Sequence, residues 1–228
     1  MGTTIEFERP DGKRAPGYLA EPQSMAAAPG IVVIEEWWGV TKEIRAIADA
    51  YARAGYRALV PDLFRGRTAA TGDEANHLME GLDFGDAATQ DVRGALRFLR
   101  ADVSRVGVTG YCMGGALTIL ACADPTEADA AVCFYGVPPP DAVDPSTIQV
   151  PFQGHFATRD TFFTPVAVRE FERRLKSGSA KSEMYWYDAP HGFCNPAEAG
   201  KSGLGHYDAA AANLAWERTL EFWNQTLR

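Results

Sequence analysis

The sequence predicts a three-layer α/β fold with a mostly parallel central sheet. Three observations carry that expectation. First, β-type and α-type runs alternate along the chain, which specifies parallel strands with helices packed on both faces. Second, Gly30-Ile31-Val32-Val33-Ile34 is an uninterrupted apolar, β-branched run, the pattern of a strand covered on both sides. Third, Gly110-Tyr111-Cys112-Met113-Gly114-Gly115 joins a β-type run, Arg105-Val106-Gly107-Val108-Thr109, to a helix-type run, Ala116-Leu117-Thr118-Ile119-Leu120-Ala121. A cysteine therefore sits at the tip of a sharp strand–helix turn.

The elements follow in order. Residues 3–8 and 16–20 read as two strands joined by the turn Pro10-Asp11-Gly12-Lys13. The strand at 30–34 runs into Glu35-Glu36-Trp37-Trp38-Gly39. Thr41 is expected to cap a helix to about Ala54, stopped by Gly55. Tyr56 to Val60 is a strand closed by Pro61-Asp62, and residues 64–72 form a polar loop. A long helix is expected over 83–100, with Ala87, Val92, Leu96 and Leu99 at helical spacing. Beyond the cysteine turn and its helix come a strand at 130–135, a proline-rich loop over 136–151 and a weak strand from Phe152 to Phe156. Pro165 suits the first turn of a helix to about Lys176. Ser182 to Tyr187 is the last strand, and the tail from Tyr207 to Leu227 is an amphipathic helix. No repeat, low-complexity tract or linker interrupts the series, so residues 1–228 are expected to form one domain. The 136–151 stretch is short and stiffened by Pro138-Pro139-Pro140, so no cap domain is expected.

Composition narrows the function. The 228 residues are 46% hydrophobic and 23% charged, ordinary globular values that allow a core of good size. The net charge of −8 argues against nucleic acid and anionic membranes as partners. No apolar run approaches the length of a membrane span, and the N-terminal residues lack the pattern of a signal peptide. Cys112, Cys122, Cys133 and Cys194 show no CxxC spacing, so reduced thiols and a cytoplasmic location are expected. No metal and no cofactor is expected.

The cysteine turn matches the nucleophile-elbow pattern G-x-S-x-G with cysteine in place of serine. Gly110 and Gly114 flank Cys112 where a Cβ would collide with the crossing backbone. The helix N-terminus beyond it favours a negative sulfur. A buried structural cysteine in a glycine-rich turn is the plainer reading, since free cysteine usually behaves as a small hydrophobe. In open α/β sheets, however, working residues sit on loops at the carboxyl ends of strands. Glu36, Cys112, Asp160 and His191 all do so. The last three appear in the order nucleophile, acid, histidine, as in an α/β-hydrolase. His191, between Pro190 and Gly192, would be the general base toward the thiol and then the acid toward the leaving group. Asp160 would orient it. Asp188 competes, being three residues from His191, but Asp160 ends a strand and precedes its own helix. His77 and His206 receive no role, and His155 falls within a strand as a structural residue. The oxyanion hole requires two backbone N–H groups, expected from Met113 and Trp37. Trp37 and Trp38 either line a substrate pocket or pack beneath the 41–54 helix.

Taken together these pieces resemble the dienelactone hydrolase family. The matching segments are Val33 to Val40, Gly55-Tyr56, Pro61-Asp62-Leu63, Gly110 to Gly115, Phe134-Tyr135-Gly136, Asp160 and His191-Gly192-Phe193. They span most of the chain. The resemblance implies an α/β-hydrolase fold and a Cys112–His191–Asp160 triad. It also implies that Glu36 holds the resting thiol and takes its proton when substrate arrives, and that Trp38, Phe193 and Asn195 contact substrate. Relatives that act on dienelactone bind its carboxylate with arginines, one of them four residues after the histidine. Here that position is Asn195, and Arg65 and Arg67 lie earlier than the second arginine should. The expected activity is hydrolysis of small carboxylic esters or enol lactones through a cysteine thioester, by a monomer or small homo-oligomer. A non-catalytic small-molecule binder, or a thioesterase or peptidase of the same fold, are the alternatives.

Overall fold

The structure, a computed structural model, describes residues 2–26, 28–123, 126–196 and 207–228. Its strands are β1 (Thr3–Glu8), β2 (Arg14–Ala20), β3 (Gly30–Ile34), β4 (Arg57–Pro61), β5 (Val106–Tyr111), β6 (Ala130–Phe134), β7 (Phe152–Ala157) and β8 (Ser182–Tyr187). They form one eight-stranded sheet in the order β1-β2-β4-β3-β5-β6-β7-β8. The β1–β2 and β2–β4 pairs are antiparallel, and every other pair is parallel. The expected mostly parallel sheet is therefore present, with an antiparallel hairpin at one edge.

The apolar run of β3 is explained by its place near the middle of the sheet. Val32 and Ile34 point into a cluster with Leu59, Leu96 and Leu117. Ile31 and Val33 point the other way, against Ile44, Tyr51 and Trp223. The first face is covered by α4 (Arg93–Arg100), α5 (Met113–Ala123) and α6 (Pro165–Leu175). The second is covered by α1 (Lys42–Arg53) and α7 (Ala209–Leu227). Each methylene buried in this way contributes about 0.8 kcal/mol, so the two-sided packing is what fixes β3 in place.

The structure differs from the sequence expectations in several details. Part of the polar stretch after β4 is helical: α2 (Gly72–Glu80) is capped by Thr71, whose hydroxyl accepts from the Glu74 N–H. Its short apolar face, Ala75 and Leu78, left too little periodic signal in the sequence. Thr41 precedes α1, as expected, but its side chain makes no capping hydrogen bond. The 83–100 helix comprises α3 (Phe84–Asp86), a π turn (Ala87–Val92) and α4. Buried Asp91 lies on that π turn and meets Arg9 and Arg65. His155, expected as a structural residue, lies fully buried in β7. His77 is on exposed α2, and His206 lies outside the described residues. No described helix is long and apolar enough to cross a membrane.

Candidate active site

β5 ends at Tyr111 and α5 begins at Met113, so Cys112 alone makes the turn. It does so at φ +55°, a left-handed conformation costing about 1 kcal/mol or more for a residue with a side chain. The surrounding glycines make that turn possible. A Cβ on Gly110 would overlap the Gly114 carbonyl, and one on Gly114 would come within 2.5 Å of the Ile34 oxygen. Gly136 approaches the Cys112 carbonyl so closely that any side chain there would overlap it. The turn is held from below by the Cys112 N–H, which donates to the Phe134 carbonyl at 3.0 Å.

His191 follows β8, and its Nε2 lies 3.2 Å from Cys112 Sγ. Its Nδ1 donates to Asp160 Oδ2 at 2.8 Å, which leaves Nε2 for the sulfur. Asp160 Oδ1 accepts the Phe162 and Phe163 N–H groups at 2.8 and 2.9 Å. These bonds fix the carboxylate. The two loops are tied together by the Arg159 N–H donating to the Ala189 carbonyl at 3.1 Å. Burial of the imidazole opposes its protonation, but the Cys112 sulfur and the Asp160 carboxylate outweigh burial and push it up to about 10. The choice between two acids is thereby made by geometry. Asp188 is exposed and pairs with Arg159 at 3.0 Å, whereas Asp160 is buried against the histidine.

Glu36 lies at the carboxyl end of β3. Its Oε1 accepts from the Tyr135 hydroxyl at 3.2 Å, and its Oε2 accepts from Asn195 Nδ2. Tyr135 is itself at φ +36°, and its ring packs edge-on against His191, centroids 5.3 Å apart. It thus braces two of the expected site residues. A cavity of about 180 Å³ opens over Cys112 and His191. Trp37, Trp38, Met113, Phe162, Phe163 and Met79 line it together with Glu36. Trp37 and Trp38 pack edge-on at 5.2 Å on this wall. Trp37 and Met113, the expected oxyanion donors, both border the space beside Cys112. A larger cleft of about 480 Å³ lies on the far side of Glu36, between α1 and the start of α7, and neither Cys112 nor His191 is on its wall.

Two expected substrate contacts, Phe193 and Asn195, are not on the wall of the small cavity. Phe193 is fully buried in the core, edge-on to Tyr135 and tilted against Tyr187. Its apolar bulk is used for packing under the histidine turn. Asn195 is buried, donates to Glu36 and lines the larger cleft rather than the small cavity. Arg65 is engaged by Asp91 at 2.8 Å, and Arg67 donates to the Phe64 carbonyl at 3.1 Å. Among the described residues no arginine or lysine lines the small cavity. Sequence reasoning missed Phe162, Phe163, Met79 and Tyr135. The Phe162-Phe163 pair directly after Asp160 was the available signal for two of them.

Burial pushes Cys122 up to about 12 and raises Cys133 further. Burial, with the charge of Glu36 second, also raises Cys194 well above the ordinary thiol value.

Comparison with known proteins identifies the family and the fold. Protein usf of Aquifex pyrophilus is 31% identical over 238 residues, covering all of both chains. A protein of Azospirillum brasilense, provisionally named a carboxymethylenebutenolidase, is 31% identical and covers 99% of each chain. The crystal structure of a provisionally assigned dienelactone hydrolase from Klebsiella pneumoniae superposes with a TM-score of 0.85 at 23% identity, covering 99% of both chains. That likeness shows the α/β-hydrolase fold. The model of the dienelactone hydrolase family matches residues 15–227, and the chain therefore belongs to the dienelactone hydrolase family of hydrolases.

Proposed function

We propose that the protein hydrolyses small, neutral carboxylic esters or enol lactones through a thioester at Cys112. The single observation behind this reading is the continuous chain from Cys112 Sγ to His191 to Asp160 on a strained elbow. In the proposed cycle the Cys112 thiolate attacks the ester carbonyl. The oxyanion that forms is met by the Met113 and Trp37 backbone N–H groups. Collapse breaks the carbon–oxygen bond, and His191 gives its proton to the departing oxygen. The now neutral imidazole takes a proton from water, the resulting hydroxide attacks the thioester, and the thiolate leaves. It is paired again with imidazolium, and an acid has been released. Asp160 keeps Nδ1 protonated throughout.

Sulfur leaves a tetrahedral intermediate more readily than an alkoxide, so simple alkyl esters tend to revert. Aryl and enol esters, whose leaving groups are stabilised, go forward. The aromatic wall of the small cavity, which carries no arginine or lysine among the described residues, supports neutral substrates, because a carboxylate entering it would lose hydration without a guanidinium or ammonium partner, the His191 imidazolium being held by Asp160 and the sulfur. In the proposed reading the sulfur rests as a thiol, as the family resemblance implies: Glu36, oriented by Tyr135 and Asn195, takes its proton when substrate arrives, leaving the thiolate beside imidazolium, and returns it to the sulfur when product leaves.

The test uses Cys112→Ala and 4-nitrophenyl acetate. Loss of a triad nucleophile lowers kcat by several orders of magnitude, roughly 10⁴ or more, with the fold unchanged by circular dichroism. A stoichiometric alkylator should label Cys112 in peptide mass maps, because the other three thiols are held protonated by burial. Retained turnover in the variant, with label only on Cys194, would sink the assignment. A matched pair, one ester with a free carboxylate and its methyl-capped twin, tests the charge preference. Wild type should favour the capped ester, and a preference for the carboxylate would refute the neutral pocket.

A further inference from the structure

The strand end that carries Glu36 and Trp37 is backed by a group of carboxylates with too few cations. Glu35 is fully buried, and neither of its oxygens meets a hydrogen-bond donor. Asp62 and Arg65, from the loop after β4, and Asp91, from the π turn, are the charged groups around it. The Leu63 N–H points toward it but falls short of hydrogen-bond geometry. Both nearby guanidinium groups are committed. Arg65 binds both oxygens of Asp91, at 2.8 and 2.9 Å, and the Asp62 carbonyl at 2.7 Å. Arg9 is shared among Asp11, Asp86 and Asp91. Asp62 keeps one buried oxygen without a donor, the other accepting from the Gly66 N–H at 2.7 Å. Glu35, fully buried, and Asp62, half-buried, are thus left as neighbouring acids with no cation of their own.

An anion at Glu35 would be unpaired in an apolar setting beside a like charge, which is among the most costly arrangements in a protein interior. We propose that Glu35 is a positioning residue that works only as the neutral acid, keeping the end of β3 in place under the elbow, and that its ionisation sets an alkaline limit on hydrolysis. The mechanical link is direct. The Ile34 and Glu35 carbonyls press on the Gly114 α-carbon, where an added Cβ would lie 2.5 and 2.6 Å from them. Any shift of Glu35 therefore moves Glu36 and Trp37 on one side and the Cys112 turn on the other. The alkaline limit rests on the hydrolase reading; the protonation of Glu35 does not.

The protonation follows from the same surroundings. Burial first and the charge of Asp62 second raise the Glu35 carboxyl well above its ordinary value, outweighing the pull of the Leu63 N–H and Arg65, with Asp91 adding the smallest push upward. The folded chain therefore retains a proton that the unfolded chain releases above about pH 4.5. Stability is fully present below that pH and falls as pH rises toward the folded value, with the unfolding constant rising about tenfold per pH unit.

Three proteins decide the matter: wild type, Glu35→Gln and Asp62→Asn. Urea unfolding at pH 5 and pH 8 reads the proton. Glu35→Gln, which keeps the shape and a donor, should match wild type at pH 5 and unfold at least tenfold less readily at pH 8. Turnover of 4-nitrophenyl acetate over pH 6–10 reads the positioning. Wild-type kcat should fall on the alkaline side, Glu35→Gln should lose that limb, and Asp62→Asn should move it to lower pH because a like charge is gone. A Glu35→Gln profile that overlays wild type overturns the positioning role even if the stability difference appears. Equal pH dependence of unfolding in the two proteins overturns the neutral acid. If Glu35→Gln does not fold, an alkaline limb unmoved in Asp62→Asn overturns the proposal instead. Absence of ester turnover in wild type would overturn the hydrolase reading and the alkaline limit with it, while the unfolding comparison would still decide the proton on its own.

Discussion

Cys112 is set apart from its three fellow thiols by its neighbours. Among the described residues it alone of the four has an imidazole within hydrogen-bond distance, and its backbone is turned to φ +55°. Glu36 is the residue whose role depends most on such neighbours. Tyr135 and Asn195 both donate to it, and hydrogen bonds to a carboxylate contribute about 1.5–3 kcal/mol each. Glu36→Gln removes the charge and makes one of the two acceptor positions a donor, which faces another donor. We expect kcat/KM to fall by about tenfold, the scale of one such bond, with the thermal midpoint nearly unchanged. The rate of Cys112 alkylation against pH should also shift. An alkylation profile identical to that of wild type would return Glu36 to a purely structural role.

At the scale of the element, the elbow works because β5, β6 and α5 meet at separations only glycine permits. An added Cβ on Gly136 would overlap the Cys112 carbonyl oxygen, and one on Gly115 would lie 2.6 Å from the Phe134 carbonyl oxygen. Gly136→Ala must therefore displace backbone, and we expect about 3 kcal/mol or more of lost stability, together with loss of activity. Gly66 offers the control. It also has positive φ, +87°, but has open space around it. Gly66→Ala should cost only about 1 kcal/mol, the left-handed backbone penalty, and leave turnover intact. Denaturant unfolding of the two variants gives the comparison, and equal costs would show that crowding at the elbow is not the determining effect.

At the scale of the whole molecule, a buried polar network joins β7, β8 and α7 behind the active-site edge. His155 Nδ1 meets the Tyr187 hydroxyl at 2.8 Å, and Nε2 meets Gln153 Oε1 at 2.8 Å and the Thr219 hydroxyl at 3.1 Å. Burial, with Arg218 second, lowers this imidazole to about 3. The folded chain thus keeps it neutral where the unfolded chain takes up a proton below about pH 6.5. Stability from this residue is complete above pH 6.5 and is lost as pH falls toward 3, by about 1.4 kcal/mol per unit. Glu35 acts in the opposite sense, so the informative quantity is the difference between wild type and His155→Gln. Between pH 7 and pH 5 wild type should lose about 2 kcal/mol more than the variant. Parallel losses would mean that His155 becomes protonated without penalty.

The sequence by itself determined whatever is written in short-range chemistry. Alternating periodicities specified the sheet and its helices, the β-branched run specified a central strand, and the glycines around Cys112 specified the elbow. The chain order of Cys112, Asp160 and His191 was legible because each follows a strand. The tertiary structure decided what depends on which side chains meet. Asp160 rather than Asp188 reaches His191 because the loop after β7 folds under the histidine while Asp188 turns outward. Phe193 is core and not pocket, since the turn at Gly192, φ +70°, precedes it and Tyr135 and Tyr187 pack against its ring. Asn195 meets Glu36 across 159 residues, a pairing no local pattern encodes. The unpaired state of Glu35 is likewise a fact of three dimensions. In the sequence it is one of two adjacent glutamates, and only the fold places one over the cavity and the other beneath the elbow, because successive side chains at a strand end point to opposite faces.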